Sequence, residues 1–201
     1  IFEDKTTSLE LKADHSALIM KQIWDFSQTV DIEDVKEILD RQIACNMAIA
    51  NEGIHNSYGA NIGHVILNMD SDCVKTRAKA YAAAGSDARM NGCELPVVIN
   101  SGSGNQGITC CVPVVVYAKE LDCTQKQLYR ALVLSNLTAI YIKTGIGTLS
   151  AFCGAVSSGA AAGAGIAYLH NGTYKEIQHT IVNALAILSG TICDGAKASC
   201  A

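Results

Sequence analysis

Residues 31–54 read DIEDVKEILDRQIACNMAIANEGI, and their spacing decides the fold class. Apolar Val35, Ile38, Leu39, Ile43, Met47 and Ala50 recur at intervals of three and four, the period of one helix face. Asp31, Glu33 and Asp34 open the stretch, where carboxylates suit the positive end of a helix. Outward from this helix the same period continues. Residues 17–26 hold a second helical pattern, and Cys73 to Met90 form an Ala- and Lys-rich third that Asn91-Gly92 ends. Thr124 is an N-cap for a helix running to Tyr141. Thr173 to Leu188 is another helix, closed by Ser189-Gly190. Gly53 to Gly63 is a polar, glycine-broken loop, and Pro96 to Asn100 a short extended piece. Pro113 either sits in the first turns of a helix or kinks one. No alternating run is long enough to build a sheet. The expectation is an all-α protein: a lead-in over residues 1–30, which either stands alone or ends an upstream domain, and a helical domain over 31–201.

Ser150 to Leu169 (SAFCGAVSSGAAAGAGIAYL) carries no charge over twenty residues. Such a run raises a membrane span. Its Ala, Gly and Ser content drives insertion weakly and favours close helix packing, so it reads as the central, inaccessible helix of a water-soluble core. Apolar residues make up 49% of the chain and charged residues 17%, below the usual share of about 25%. Much surface is therefore buried, by a core or by a partner. Net charge is −4 and no basic run occurs, which argues against nucleic acid and anionic membranes as partners. Ile1 in place of Met is read as a start inside a longer reading frame. Nine cysteines with only two prolines, in an Ala-rich chain, fit a reducing cytoplasm better than a secreted disulfide scaffold.

Two sites carry chemistry. The first is Ser101-Gly102-Ser103-Gly104-Asn105-Gln106-Gly107, running into the apolar ITCCVPVVVYAKEL. Glycines and serines ahead of a helix offer backbone N–H groups to an anion. The alternative is a plain turn between helices, although Asn105 and Gln106 are unusual at a helix entry and favour recognition. The loop is neither a Walker loop nor a dinucleotide fingerprint. The second site is Cys153 with Cys193 and Cys200, the latter two seven apart around a glycine turn. Thiolates on glycine-containing loops serve iron–sulfur clusters or zinc, and spacing alone leaves metal, zinc and small buried thiols all open. Adjacent Cys110 and Cys111 read as packing residues. Cys45, Cys73, Cys93 and Cys123 show no partner pattern.

Ser86-Asp87-Ala88-Arg89-Met90, Ser101 to Thr109, Leu149-Ser150-Ala151-Phe152-Cys153-Gly154 and Cys193-Asp194-Gly195-Ala196-Lys197 together resemble the L-serine dehydratase α-chain and L-cysteine desulfidase family. They occur in the family's order and span most of the chain. The resemblance implies a [4Fe–4S] cluster with one iron open to substrate. It carries Cys153 and Cys193 over as ligands, with Cys200 as the third. It implies a lyase converting L-cysteine or L-serine to pyruvate, ammonia and sulfide or water. It also implies a partner in an N-terminal half of the same protein, which contributes to the site, and the expected assembly is a homodimer. Relatives in the family are longer at both ends, so a chain of this extent is expected to hold its cluster poorly.

In that reading the Ser101–Gly107 loop takes the substrate carboxylate, and Arg89 either adds a bidentate contact or pairs with Asp87. The base is open between Lys143 and His64. Lys197 either balances the cluster's charge or is solvated. A non-catalytic iron–sulfur redox sensor is the alternative function, which the anion-binding loop disfavours. A membrane-embedded transporter piece is a third, resting on Ser150 to Leu169 alone.

Overall fold

The computed structural model describes residues 16–147, 150–193, 195, 197–198 and 200. Within them the chain forms eight helices: α1 (Met20–Thr29), α2 (Ile32–His55), α3 (Ile62–Met69), α4 (Val74–Met90), α5 (Gly104–Glu120), α6 (Gln125–Ile146), α7 (Gly154–Leu169) and α8 (Tyr174–Ile187). The only β-type pairings among the described residues are two isolated bridges, Asn100 with Ser103 and Phe152 with Ile192. No helix among them is long and apolar enough to cross a membrane. The all-α expectation holds.

Local signals set several boundaries. The Asp31 carboxylate accepts from Glu33 N–H at 3.1 Å and starts α2. Thr124 and Gln127 form a reciprocal capping box at α6, with bonds of 2.8 and 3.3 Å. Glu176 accepts from the Thr173 backbone and hydroxyl at the start of α8. In contrast, α3 lies partly in the stretch expected to be loop. Its N-cap Asn61 is left-handed and makes no side-chain cap. The cap comes instead from α4, where buried Asp87 accepts Ile62 N–H at 3.0 Å and Asn91 Nδ2 at 3.1 Å.

The inner face of α2 also differs from its apolar stripe. Ile38 is 62% exposed, while Gln42 and Asn46 are buried beside Leu39, Ile49 and Ala50. These amides are fully used. Gln42 and Asn136 exchange two bonds of 2.8 Å, and Asn100 Nδ2 donates to Asn136 Oδ1 at 3.0 Å. Asn46 receives Val98 N–H and donates to the carbonyls of Val98 and Gly107. A satisfied network of this kind fixes backbone position without leaving orphaned polar groups. Here it pins residues 98–103 against α2, α5 and α6.

The Gly/Ala-rich helix α7 is central, packed on α5, α6 and α8. It begins at Gly154 rather than Ser150, with Cys153 as N-cap. Its small residues bring backbones together: a Cβ on Gly165 would lie 2.9 Å from the Ala131 carbonyl oxygen. A still closer helix–helix approach joins α2 to α4, where a Cβ on Gly53 would stand 2.1 Å from the Ala84 carbonyl oxygen. Gly53→Ala is expected to destabilise the fold by about 3 kcal/mol, because backbone cannot yield as a side chain does. Gly145→Ala meets nothing within 4 Å and replaces an exposed helical glycine. It is expected to stabilise by about 0.5 kcal/mol. Urea midpoints of the two variants check the pair.

Candidate functional site

One cavity of about 830 Å³ collects most of the residues singled out above. The α4 face of Ser86, Arg89 and Met90 forms one wall. The first turns of α5 and α7 face it, Lys143 enters from the C-terminal end of α6, and Leu188, Thr191, Ile192, Cys193, Gly195 and Cys200 close the remaining side. Cys153, Cys193 and Cys200 all line it, as do Gly102, Ser103, Asn105 and Gln106. Ser101 and Gly104 do not. His64 lies elsewhere, its Nε2 bonded to the Ile54 carbonyl at 2.6 Å. Leu149, Asp194 and Ala196 of the sequence motifs lie outside the described residues, as do residues 1–15 of the lead-in.

The glycine-rich loop is shorter than its composition suggests. Asn100 to Ser103 close a tight turn with reciprocal backbone bonds of 3.1 and 3.0 Å. Ser101 (φ 48°) and Gly102 (φ 83°) occupy its left-handed central positions. The Ser101 hydroxyl is used within the turn, donating to Asn100 Oδ1 at 2.8 Å. Helix α5 then starts at Gly104, so Asn105 and Gln106 belong to its first turn. The N–H groups of that turn precede the first helical bond, which Gly107 N–H makes to the Ser103 carbonyl. They remain available to an acceptor. The α7 N-terminus meets the same space, and its N-cap Cys153 makes no side-chain cap. Two helix N-termini therefore point positive ends at one cavity.

The charged lining adds to this. Arg89 and Lys143 are the charged side chains among the described lining residues, and no described carboxylate lines the cavity. Arg89 does not pair with Asp87, whose oxygens serve α3 and Asn91. Its Nη1 instead donates to Asn105 Oδ1 at 3.0 Å. Its side chain passes over Gly104, where a Cβ would stand 2.1 Å from Nε. Lys143 is only 9% exposed, and none of the ion pairs between described residues involves it. Gln106 is 6% exposed, and its Oε1 is buried without a hydrogen-bond partner. It packs against Gly154, where a Cβ would lie 2.4 Å from Nε2. An orphaned amide oxygen is costly in a dry core.

The sulfurs are separated into two kinds by their surroundings. Cys110 and Cys111 are fully buried, and burial pushes the Cys110 thiol up to about 12 and Cys111 well above its ordinary value. They stay protonated and serve as packing. Cys153, Cys193 and Cys200 are free thiols, each partly accessible. The Phe152–Ile192 bridge sets the segments before Cys153 and Cys193 side by side, with Cys153 N–H donating to the Thr191 carbonyl at 3.4 Å. Cys193 N–H donates to the Ala151 carbonyl. Cys200 hangs from Asn105, whose Nδ2 donates to its carbonyl at 3.0 Å. Among the described residues, no three His, Cys, Asp or Glu side chains stand at metal-holding distance. The three thiols share a cavity without closing into a set. As donors they fit a cluster in kind: soft ligands beside glycine, facing cations and helix N-termini that offset a thiolate-bound cluster's negative charge.

Sequence reasoning missed Ser86, Thr109 and Ser150 as lining hydroxyls. Ser86 could have been found, since it shares a helix face with Arg89 and Met90 at intervals of three and four.

A helical bundle with a cation-rich, thiol-lined cavity between two helix N-termini is the class that fold and site define. The chain belongs to the serine dehydratase alpha chain family, which it matches over residues 5–201. Its similar curated relatives are UPF0597 proteins. The one from Desulfitobacterium hafniense is 59% identical over 98% of this chain and 46% of its own length. That of Lachnoclostridium phytofermentans is 58% identical over 94% and 45%. That of Treponema denticola is 49% identical over 100% and 48%. The chain thus spans about half the length of the curated relatives it matches. No solved structure matches it.

Proposed function

We propose that this chain carries the substrate cavity of an iron–sulfur amino-acid lyase acting on L-cysteine or L-serine. The observation that carries the reading is the shared cavity: three free thiols, Arg89, Lys143 and the unpartnered Gln106 oxygen around two helix N-termini. Family membership supports it. Cys153, Cys193 and Cys200 would hold a [4Fe–4S] cluster. When bound, the cluster supplies a Lewis acid to the departing thiol or hydroxyl group.

The chain's own residues do the rest. The substrate carboxylate lies on the first-turn N–H groups of α5 and the Arg89 guanidinium. Gln106, turned so that its oxygen faces the cavity, accepts from the substrate ammonium. Lys143 Nζ, once it has passed its own proton to solvent, takes the Cα proton. Of the groups described on the wall, Arg89 takes the carboxylate and the cysteines serve as ligands, which leaves Lys143. The Cα–H electron pair becomes the Cα=Cβ bond, and the Cβ–S or Cβ–O pair leaves with the heteroatom. The resulting aminoacrylate tautomerises to an imine, which water hydrolyses to pyruvate and ammonia.

Anaerobic reconstitution with iron and sulfide, followed by assays for pyruvate with each amino acid, tests the reading. Pyruvate is expected from at least one of them, with sulfide released if it is L-cysteine. A protein that takes up a full cluster and yields no pyruvate from either contradicts it and favours a sensing module.

A further inference from the structure

Asn105 was expected to recognise substrate, but both of its polar side-chain atoms are already engaged. It is 5% exposed; its Oδ1 accepts from Arg89 Nη1 at 3.0 Å, and its Nδ2 donates to the Cys200 carbonyl at 3.0 Å. The other bonds described for Cys200 are local. Its N–H donates to the Lys197 carbonyl at 3.0 Å and its Sγ to the Gly195 carbonyl at 3.2 Å. Among the described contacts of Cys200, the bond to Asn105 is therefore the one that reaches the helical body.

We propose that Asn105 is a positioning residue that couples occupancy of the anion site at Arg89 to the placement of Cys200. The proposal rests on the reading of Arg89 as the carboxylate contact. The amide is planar, so its two ends cannot be oriented independently. A carboxylate that fixes the guanidinium fixes Oδ1, and with it the direction of Nδ2 and the tail that Nδ2 holds. Linkage makes the effect reciprocal: a seated tail orients Arg89 for an incoming carboxylate. The segment after Ile187 forms no helix among the described residues; its described bonds to the body are those to Ala151 and Cys153 near its start and to Asn105 at Cys200. Substrate arrival and ligand placement would then be one event at the two ends of a single side chain.

The test uses the chain without iron, kept reduced under argon. Iodoacetamide labelling is resolved cysteine by cysteine by mass spectrometry. L-Alanine, an α-amino acid without a leaving group, is the probe, and calorimetry follows its binding. In the wild-type protein saturating L-alanine is expected to slow labelling of Cys200 about fivefold or more, the low end of ordinary coupling between sites. Asn105→Ala should label Cys200 faster without ligand and lose the protection while still binding L-alanine through Arg89. Asn105→Asp keeps an acceptor for Arg89 but has no donor for the Cys200 carbonyl, so its ligand-free rate should match that of the Ala variant. Cys110 and Cys111, both 0% exposed, should stay unlabelled throughout and report an intact fold. The inference is overturned if both variants label Cys200 at the wild-type rate, or if Asn105→Ala retains the protection. A wild-type protein that does not bind L-alanine removes the carboxylate site and the coupling together, and the tie between Asn105 and Cys200 then stands or falls on the ligand-free rates.

Discussion

Lys143→Met is expected to lower kcat of the anaerobically reconstituted protein about 10³-fold, with KM nearly unchanged. Methionine keeps an unbranched stem of similar reach and removes the proton acceptor. Loss of a positioned general base costs about 10²–10⁴ in rate. Lys143 is buried at the end of α6 and opens on the cavity, so the effect should fall on the chemical step rather than on binding. A second readout isolates that step. Single-turnover pyruvate formation, which excludes product release, should fall by the same factor in Lys143→Met. A variant within tenfold of wild type in both measurements would remove Lys143 from the chemistry.

Arg89→Ala should act on the other parameter, raising KM about 10²-fold and changing kcat far less. A charge-assisted bond to a carboxylate contributes about 1.5–3 kcal/mol, and each 1.4 kcal/mol is tenfold. Arg89→Lys keeps the charge but loses the planar fork, and should recover about tenfold of that loss. Steady-state kinetics with the amino acid that yields pyruvate checks both variants. If Arg89→Ala left KM unchanged, Arg89 would be a brace for Asn105 alone.

The helices most legible in the sequence are those whose signals are local. The acidic start at Asp31 and the Thr124 box each act within a few residues, so composition and spacing reveal them. Helix α3 was illegible because its cap, Asp87, arrives from α4. The buried face of α2 was misread for a related reason. Gln42 and Asn46 are polar by type but satisfied by Asn136, Val98 and Gly107, partners that only the fold supplies.

The candidate site divides in the same way. Motif order placed Cys153, Cys193, Cys200, Arg89 and Gln106 on the list, and all five line one cavity. Asn105 and Gln106 look alike in sequence, yet one is saturated by Arg89 and Cys200 while the other keeps an unpartnered oxygen. Lys143 and His64 were both candidates for the base by context. The C-terminal end of α6 brings the first to the cavity, and the Ile54 carbonyl holds the second away from it.

The central claim is that Cys153, Cys193 and Cys200 are the thiols that hold a cluster in this cavity. Its most direct test is iron and acid-labile sulfide content, read with the visible absorption of protein reconstituted under argon, for wild type and for each Cys→Ala variant. The account predicts a brown protein with about four irons per chain when the wild type is produced at the length of its curated relatives, from the composition of a [4Fe–4S] cluster. Cys153→Ala and Cys193→Ala should lose the chromophore and pyruvate formation while helical circular dichroism is unchanged, and Cys200→Ala should hold iron weakly. A full cluster retained in Cys153→Ala or Cys193→Ala would contradict it.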